Sequence, residues 1–244
     1  MCGRYELHTH PAVIALAFGL AGRPDLRARY NIAPLTEVPV VRVNAKGERE
    51  LVHLRWGLVP RRAKDPAIGA RIINARGETL ATRPAFRMPY RRHRCLLPAD
   101  GFYEWLGVDA RGELRKQPLH VGMKDGSLFA LGGLYERWLS PQGEVLDTCT
   151  IVTTPANSLL SAVHDRMPLI IAPADYARWL DPANAQVEDL VVPFPAERMT
   201  FYPVSTRLNA ARNEGPALIA PVDVANAAED AAASPAVPEQ ESLF

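Results

Sequence analysis

Two short apolar runs separated by turn residues occupy residues 94–105, which have the sequence RCLLPADGFYEW. Residues 94–97 and 102–105 each have the length and the apolar or aromatic character of a β-strand, and turn-forming residues lie between them. Similar runs recur along the chain, at residues 38–43, 51–55, 71–73, 118–121, 128–131, 148–153, 169–171 and 200–204. Helical patterns lie between them, at residues 10–19, 77–81, 84–90, 155–161, 173–180 and 187–192. Many short strands interrupted by single helices predict an α+β fold, a single domain with a curved, barrel-like, mainly antiparallel sheet and short flanking helices.

The composition is that of an ordinary soluble globular protein, with 48% hydrophobic and 23% charged residues among 244. No apolar run approaches the ~20 residues of a membrane span, and the first residues lack the pattern of a secretion signal. We therefore expect a cytoplasmic protein with no membrane partner. The folded, catalytic domain is expected over residues 1–221, because from Val222 the sequence consists mainly of Ala, Asp, Glu, Pro and Ser without apolar periodicity. This composition predicts a disordered acidic, Ala- and Pro-containing tail over residues 222–244.

The tail ends in two large apolar residues, in the sequence Gln240-Glu241-Ser242-Leu243-Phe244. This pentapeptide resembles the Gln-x-x-Leu-Phe motif by which bacterial replication and repair proteins bind the sliding clamp. The resemblance implies that Gln240, Leu243 and Phe244 contact this partner, with the apolar pair as anchors.

Positive charge is distributed unevenly, although the net charge is only +1. A net charge this small argues against wholesale non-specific binding of DNA. Arginine is nevertheless concentrated between residues 55 and 94, whereas the C-terminal stretch is acidic. The concentration fits a local basic surface for phosphates, and it equally fits a solvated face of a nearly neutral protein.

The internal cysteines give no sign of a metal site. Cys95 and Cys149 lie in apolar, strand-like runs, where a reduced and buried thiol is expected. No Cys-x-x-Cys or Cys/His spacing typical of zinc is present in the sequence. We expect neither a metal nor another cofactor.

The third cysteine, Cys2, directly follows the initiator methionine. Removal of Met1 would leave an amine and a thiol on neighbouring carbons, a 1,2-aminothiol. Such a group condenses with an aldehyde to an imine, and the sulfur then closes a five-membered thiazolidine ring. The amine and the thiol both titrate near neutrality, and the ammonium charge lowers the thiol pKa. The alternative is that Cys2 lies on a frayed end and has no role.

Three internal segments concentrate chemically capable side chains among turn residues, at residues 72–79, 98–105 and 162–168. They contain Asn74, Glu104 and His164 respectively. Each has an ordinary structural alternative: Asn74 as a helix N-cap, Glu104 as an outward-pointing strand residue and His164 as a loop histidine.

Together with the N-terminal Cys2-Gly3-Arg4-Tyr5, these segments match in order the motifs of a known family, and the chain resembles the SOS response-associated peptidases, whose members crosslink to abasic sites in single-stranded DNA. The resemblance runs from Met1 to about Val222 and includes three further motifs, Arg29-Tyr30-Asn31-Ile32-Ala33-Pro34, Arg55-Trp56-Gly57-Leu58-Val59-Pro60 and Pro203-Val204-Ser205-Thr206-Arg207-Leu208-Asn209. It implies a role in DNA repair beside the nucleoid, performed by a monomer.

The resemblance also implies roles for individual residues. Cys2 would be the nucleophile, and Glu104 and His164 would transfer protons while the closed sugar opens to its aldehyde. Asn74 would orient the opened sugar or the Cys2 amine. Three arginines would hold phosphates beside the lesion, with ion pairs to Glu78 or Asp165 as the structural alternative; they are Arg4, Arg76 and Arg166.

The chain departs from the family pattern after the Trp-Gly-x-x-Pro segment. Family members often have a tryptophan there, but this chain has Arg61-Arg62-Ala63-Lys64. An aromatic wedge at this position is therefore in doubt. Arg62 can stack its planar guanidinium on a base instead, which would make DNA binding more sensitive to salt.

Other functions remain open on the sequence alone. An N-terminal nucleophile glutamine amidotransferase also begins Met-Cys-Gly, but the segments around Asn74, Glu104 and His164 do not resemble that class. A non-covalent adaptor for single-stranded DNA would use the tail and leave Cys2 incidental. Within the resembled family, the imine can instead lead to strand cleavage by a lyase reaction, and a thiol-dependent peptidase activity can release Met1 or the crosslink.

Overall fold

The computed structural model describes residues 2–110, 113–184 and 186–223. Met1 and the tail residues Gln240, Leu243 and Phe244, for which the sequence predicts roles, lie outside these ranges. The strands are β1 (Tyr5–Leu7), β2 (Arg29–Ile32), β3 (Glu37–Val43), β4 (Arg49–Trp56), β5 (Asn74–Arg76), β6 (Arg94–Ala99), β7 (Gly101–Ala110), β8 (Glu113–Met123), β9 (Phe129–Leu139), β10 (Val145–Pro155), β11 (Arg166–Pro168), β12 (Ile170–Ile171) and β13 (Met199–Pro203). The α-helices are α1 (Pro11–Phe18), α2 (Pro84–Arg92) and α3 (Tyr176–Leu180). Short 3₁₀ turns occupy Pro66–Arg71, Gly77–Thr79, Pro173–Asp175, Glu188–Leu190, Ala196–Arg198, Thr206–Asn209 and Pro216–Ile219.

A closed barrel of five strands forms the centre of the described chain. Its strands pair in the order β10, β4, β3, β6 and β9, and β9 returns to β10 to close the ring. All these pairings are antiparallel except β4 with β10. Closure leaves no unpaired strand edge in the ring. Apolar side chains of its strands, such as Val41, Leu96 and Ile151, are fully buried. The predicted α+β fold with a barrel-like, mainly antiparallel sheet is confirmed.

A second sheet, in the order β13-β8-β7-β1-β2, packs beside the barrel. Successive side chains of a strand point to opposite faces. In β7 this alternation sends Phe102 into the main core and Tyr103 into a smaller apolar cluster with Val204, Leu208 and Leu218. The chain after β13 therefore covers the far face of this sheet, while the near face joins the barrel.

Helix α1 forms where the sequence predicts a helix. Pro11 occupies its first turn, where a missing N–H costs nothing, and Gly19 ends it with φ of 63°. The described helices are short, and none has the length and apolarity needed to cross a bilayer.

Two sequence predictions of local structure were wrong. Residues 155–161 are not a helix: Pro155 ends β10, and turns begin at Ser158, where the side chain of Asn157 accepts hydrogen bonds from the backbone N–H groups of Leu159 and Leu160. Residues 71–73 are not a strand; the 3₁₀ turn Pro66–Arg71 ends there, and β5 begins at Asn74.

Strands β1 and β2 were not predicted at all. They have three and four residues, and a register irregularity interrupts their pairing between Tyr5 and Leu7. Strands this short contain too few side chains to show alternation. Their consequence is large, because β1 pairs with β7 through Tyr5 and Phe102 and so fixes the N-terminal residues against the second sheet.

Candidate active site

Cys2 is an ordered, fully buried residue rather than a frayed end. The amide nitrogen Nδ2 of Asn74 donates to the Cys2 carbonyl at 2.9 Å. The Cys2 Sγ lies 3.8 Å from the carbonyl oxygen of Arg4. The same carbonyl oxygen accepts a hydrogen bond from the backbone N–H of Tyr103 at 3.0 Å. The N-terminal residues are therefore held from β5 on one side and from β7 on the other.

The environment of the Cys2 thiol favours its protonated form. Burial raises the pKa of this thiol far above its ordinary value, and the negative charge of Glu104 raises it further. From the sequence alone, the only expected effect on the pKa of this thiol was its lowering by a neighbouring ammonium. In the folded chain the thiol keeps its proton at neutral pH until a base or a new positive charge acts on it.

Asn74 begins β5, which runs parallel to β10 with Asn74 opposite Ile151. Its side chain therefore binds Cys2 and does not cap a helix. The oxygen Oδ1 of Asn74 is buried and has no hydrogen-bond partner among the described residues. A buried amide oxygen without a donor is uncommon in folded proteins. An amine or hydroxyl group that arrives beside Cys2 can supply this donor.

Glu104 lies in β7 opposite Leu119 and is 3% exposed, so it does not point outward. Burial raises the pKa of this carboxyl group, and the nearby His164 lowers it in part. A carboxyl group with a raised pKa can donate a proton as well as accept one near neutral pH.

His164 follows β10 and precedes β11, with its side chain 31% exposed. Its Nδ1 lies 2.9 Å from the backbone nitrogen of Arg166 and 2.8 Å from Oδ1 of Asp165. A backbone N–H only donates, so Nδ1 accepts this bond in the neutral ring, and the proton sits on Nε2. The carboxylate of Asp165 instead suits the protonated ring. The two contacts hold the imidazole ring from its Nδ1 side.

Two of the predicted phosphate-binding arginines, Arg166 and Arg76, lie beside this cluster. The Arg166 guanidinium forms a two-pronged ion pair with Glu78 and donates to the carbonyl of Thr153 at 2.6 Å. This ion pair is the structural alternative named for Arg166, and it lowers the pKa of Glu78. Arg76 is exposed, two residues after Asn74 on β5, opposite Thr153.

The other two predicted arginines have different surroundings. The Arg4 guanidinium turns toward Asn31 and the backbone of Leu208 and Asn209, to which it donates hydrogen bonds. Arg62 is exposed, and the adjacent Ala63 accepts a bond from Trp138 of β9 at 2.8 Å, which ties this segment to the barrel.

The fold thus brings together four residues from distant parts of the sequence, Cys2, Asn74, Glu104 and His164. Two residues that support the neighbouring arginines were not identified from the sequence: Thr153, which accepts from Arg166, and Asn31, which accepts from Arg4. Thr153 carries no motif signal, but Asn31 lies within the quoted segment at residues 29–34, to which no role was given. Over the described ranges no group of three His, Cys, Asp or Glu side chains is placed to hold a metal ion. The cluster is equipped for nucleophilic and acid–base chemistry by its own side chains.

Comparison with known proteins relates this arrangement to a family. Residues 1–211 match the family described as SOS response associated peptidase (SRAP). The chain is 39% identical over 225 residues to the abasic site processing protein YoqW of Bacillus subtilis (strain 168), an alignment that covers 90% of this chain and 99% of that protein. It is 29% identical over 273 residues to the abasic site processing protein HMCES of Mus musculus, over 92% of this chain and 77% of that protein.

Solved structures agree with the sequence match. The crystal structure of a protein from Bacteroides thetaiotaomicron superposes with a TM-score of 0.79 at 26% identity, and covers 91% of this chain and 100% of that one. A protein from Bordetella bronchiseptica superposes with a TM-score of 0.70 at 27% identity, over 84% of this chain and 100% of that one. From its match over residues 1–211 and its near end-to-end alignment with YoqW, the chain belongs to the SOS response associated peptidase (SRAP) family.

Proposed function

We propose that this protein, once Met1 has been removed, captures abasic sites in single-stranded DNA by forming a thiazolidine between the sugar aldehyde and the amine and thiol of Cys2. The observation that carries the proposal is the placement of Cys2. Its carbonyl accepts a hydrogen bond from Asn74, and the negative charge of Glu104 raises the pKa of its buried thiol. The relatives named abasic site processing protein support the substrate.

The first step is the opening of the sugar, because an abasic deoxyribose is mostly a closed hemiacetal. Opening needs one group to take the proton of the C1′ hydroxyl and another to give a proton to the ring oxygen. In our proposal His164 and Glu104 share these two transfers, and the raised pKa of Glu104 lets it act as the acid. Positioned acid–base groups of this kind typically contribute about 10²–10⁴-fold to a rate.

The amine of Cys2 attacks first, because the buried thiol is protonated and the weaker nucleophile. Its nitrogen forms a bond to C1′, and the aldehyde oxygen leaves as water to give an imine. The thiol then adds to the same carbon while its proton passes, by way of Glu104, to the imine nitrogen. Protein and DNA are thereby joined with the loss of one water. Asn74 Oδ1 accepts a hydrogen bond from the reacting amine and keeps it aimed at C1′.

Arginines beside the cluster would hold the strand. Arg76 is exposed and able to bind a phosphate, whereas a phosphate at Arg166 would compete with Glu78. Glu78 is half exposed, so its ion pair contributes only about 0–1 kcal/mol and can be exchanged. Arg62 would stack on a base farther along the same strand.

The decisive test is the intact mass of the protein after incubation with a single-stranded oligonucleotide that contains an abasic site. We expect Met1 to be absent and the product to equal protein plus DNA less one water. Cys2→Ala should form no denaturation-resistant product, and Cys2→Ser should form only an imine that requires borohydride to persist. Cys149→Ala, which removes an internal buried thiol, is the matched control and should crosslink normally.

Full retention of the oligonucleotide by Cys2→Ala on a denaturing gel would contradict the role of Cys2 and place the covalent bond on another residue, whereas binding on a native gel with no denaturation-resistant product in wild type would favour a non-covalent adaptor. The same reaction separates the other chemistries. Shortened oligonucleotides would reveal a lyase reaction through β-elimination, and release of intact DNA from the crosslink with time would reveal a peptidase or reversal activity.

We further propose that the terminal residues Gln240, Leu243 and Phe244 recruit the protein to the bacterial sliding clamp, on the strength of the sequence motif. Such recruitment would deliver the nucleophile to replication sites, where single-stranded DNA is exposed.

A further inference from the structure

The side chain of Arg4 ties the nucleophile segment to the far end of the chain. Nη1 of Arg4 donates to Oδ1 of Asn31 at 2.6 Å and to the carbonyl of Leu208 at 3.0 Å, and Nη2 donates to the carbonyl of Asn209 at 3.4 Å. The backbone carbonyl of the same residue faces the Cys2 thiol at 3.8 Å. Arg4 thus contacts the chain near residue 208 through its side chain and the Cys2 thiol through its backbone.

Asn31 is the residue that holds Arg4 in this position. It is 1% exposed on β2, and its Oδ1 accepts the shortest of the Arg4 bonds. Its Nδ2 points at the carbonyls of Leu208, Ala210 and Asn213, at 3.2, 3.1 and 3.0 Å. A single amide thus shapes the segment at residues 208–213, called here the clasp, and presents the guanidinium with two of its acceptors.

Loss of the Asn31 amide would affect both partners. The clasp carbonyls would lose their donor, and an unsatisfied buried polar group costs about 1–3 kcal/mol. The Arg4 guanidinium is partly desolvated, so its buried positive charge needs the remaining acceptors to stabilise it. With those acceptors displaced, the guanidinium gains by turning toward water, and the N-terminal segment loses the tie that adds to its bonds with Asn74 and Tyr103.

We propose that Asn31 is a positioning residue for Cys2: through Arg4 it holds the N-terminal segment so that the thiol stays sequestered against the Arg4 carbonyl and the α-carbon stays aligned with Asn74. Asn31 is too buried to touch DNA, so it acts only through Arg4. The expected effect of Asn31 on crosslinking rests on the proposed function. Its effect on the thiol does not require DNA at all.

The test compares wild type with Asn31→Ala in two measurements. The first is the rate of alkylation of Cys2 by iodoacetamide at about pH 8, near the ordinary pKa of a free thiol, read on the N-terminal peptide to exclude Cys95 and Cys149. Release of the segment exposes the thiol and brings its pKa down, so Asn31→Ala should react at least tenfold faster, with a pH profile moved to lower pH. Equal rates and equal profiles would overturn the proposal.

The second measurement is crosslinking to an abasic single-stranded oligonucleotide at saturation. We expect a loss of about ten- to a hundredfold, as a misplacement of ~1 Å can produce. Affinity for the undamaged oligonucleotide should stay within twofold of wild type. A loss in affinity with an unchanged saturating rate would show that Asn31 does not position the nucleophile.

Tyr202→Phe is the matched control. It removes the bond from the Tyr202 hydroxyl to the carbonyl of Ile219 at 3.1 Å, which ties the chain beyond the clasp to the second sheet without contact to Arg4. Cys2 in this variant should be alkylated at the wild-type rate. An increase in rate equal to that of Asn31→Ala would show that any weakening of this part of the fold exposes the thiol, and it would overturn the proposal.

If Asn31→Ala does not fold, Arg4→Lys takes its place in the alkylation measurement, because a lysine cannot reach three acceptors in the guanidinium geometry. Wild-type reactivity of Cys2 in Arg4→Lys would then refute the positioning role. If wild type itself forms no crosslink, the proposed function fails, while the alkylation rates still decide the role of Asn31.

Discussion

At the scale of single residues, the site depends on a carboxyl group that the fold keeps away from water. Glu104 is 3% exposed, and burial raises its pKa. A raised pKa means that the folded chain binds this proton more tightly than the unfolded chain does, so ionisation of Glu104 favours unfolding. The cost is absent below the unfolded pKa of ~4.3 and reaches its full value above the folded pKa.

Replacement of Glu104 by glutamine should therefore stabilise the protein and inactivate it. The gain in Tm of Glu104→Gln over wild type should be near zero at about pH 4 and positive at about pH 8, amounting to about 2–4 °C per kcal/mol for a domain of this size. Crosslinking should fall by about 10²–10⁴-fold, because an amide cannot transfer the proton. Thermal unfolding followed at both pH values, with single-turnover crosslinking, measures both effects.

The control for this pH dependence is Glu197→Gln, which neutralises a glutamate that is exposed to solvent, unlike the buried Glu104. Its Tm should follow wild type at both pH values. A gain in Glu104→Gln that is the same at pH 4 and pH 8 would show that shape, and not the buried charge, sets the stability.

At the scale of the elements, two glycines place the strand that carries Asn74. Gly57 has φ of 142°, and a Cβ on Gly69 would lie 2.6 Å from the Gly57 carbonyl oxygen. The obstructing atom is backbone, so it cannot swing aside as a side chain does. This contact seats the 3₁₀ turn Pro66–Arg71 against the end of β4, and β5 starts three residues after the turn.

Gly69→Ala should consequently force the turn away from β4 and move Asn74. We expect a loss of stability of about 1–3 kcal/mol, as for other overpacked sites, and a slower crosslinking reaction with unchanged affinity for undamaged single-stranded DNA. Urea unfolding and saturating crosslinking rates measure these effects. Gly22→Ala, where an added Cβ meets nothing within 4 Å, should change neither. Full activity in Gly69→Ala would show that the Asn74 position does not depend on this contact.

The elements also show which structural information is local in the sequence. Helix α1 was predictable because Pro11 and Gly19 mark its ends within the chain itself. The strand expected at residues 71–73 was wrong, because Asp65 and Pro66 start a 3₁₀ turn that ends at Arg71, and the contact of Gly69 with Gly57 seats this turn against the end of β4. Local patterns predicted helix α1, whose ends are marked by neighbouring residues. They failed at residues 71–73, where contacts with other parts of the chain also determine the backbone structure.

At the scale of the whole molecule, the candidate site residues were predicted from the sequence, but the contacts that hold them were not. Cys2, Glu104 and His164 were singled out by the resemblance of their motifs to a known family, since each alone had an ordinary structural alternative. The bond from Arg4 to Leu208 joins residues 204 positions apart, and nothing in either local sequence announces it. The sequence predicts a phosphate-binding Arg4; in the structure its guanidinium joins the N-terminal residues to Asn31 and to the 3₁₀ turn Thr206–Asn209.

The candidate site and the proposed clamp-binding residues lie in different parts of the sequence. The described fold is closed near its end by a bridge between Val204 and Pro221 and by a bond from the Val222 N–H to the Pro203 carbonyl at 3.0 Å. Among the described residues, those that contact Cys2 precede this point. Deletion of residues 240–244 should therefore leave the crosslinking rate unchanged.

The same deletion should abolish binding to the sliding clamp, because it removes the two apolar anchors Leu243 and Phe244. Calorimetric titration of the clamp with the full chain and with the deletion variant measures this loss. Glu241→Gln is the matched control, since position 241 is unspecified in the Gln-x-x-Leu-Phe motif, and its affinity should stay within about twofold of wild type, a difference below 0.5 kcal/mol. Clamp affinity that survives the deletion would refute the docking role and place any contact with the clamp on the folded domain.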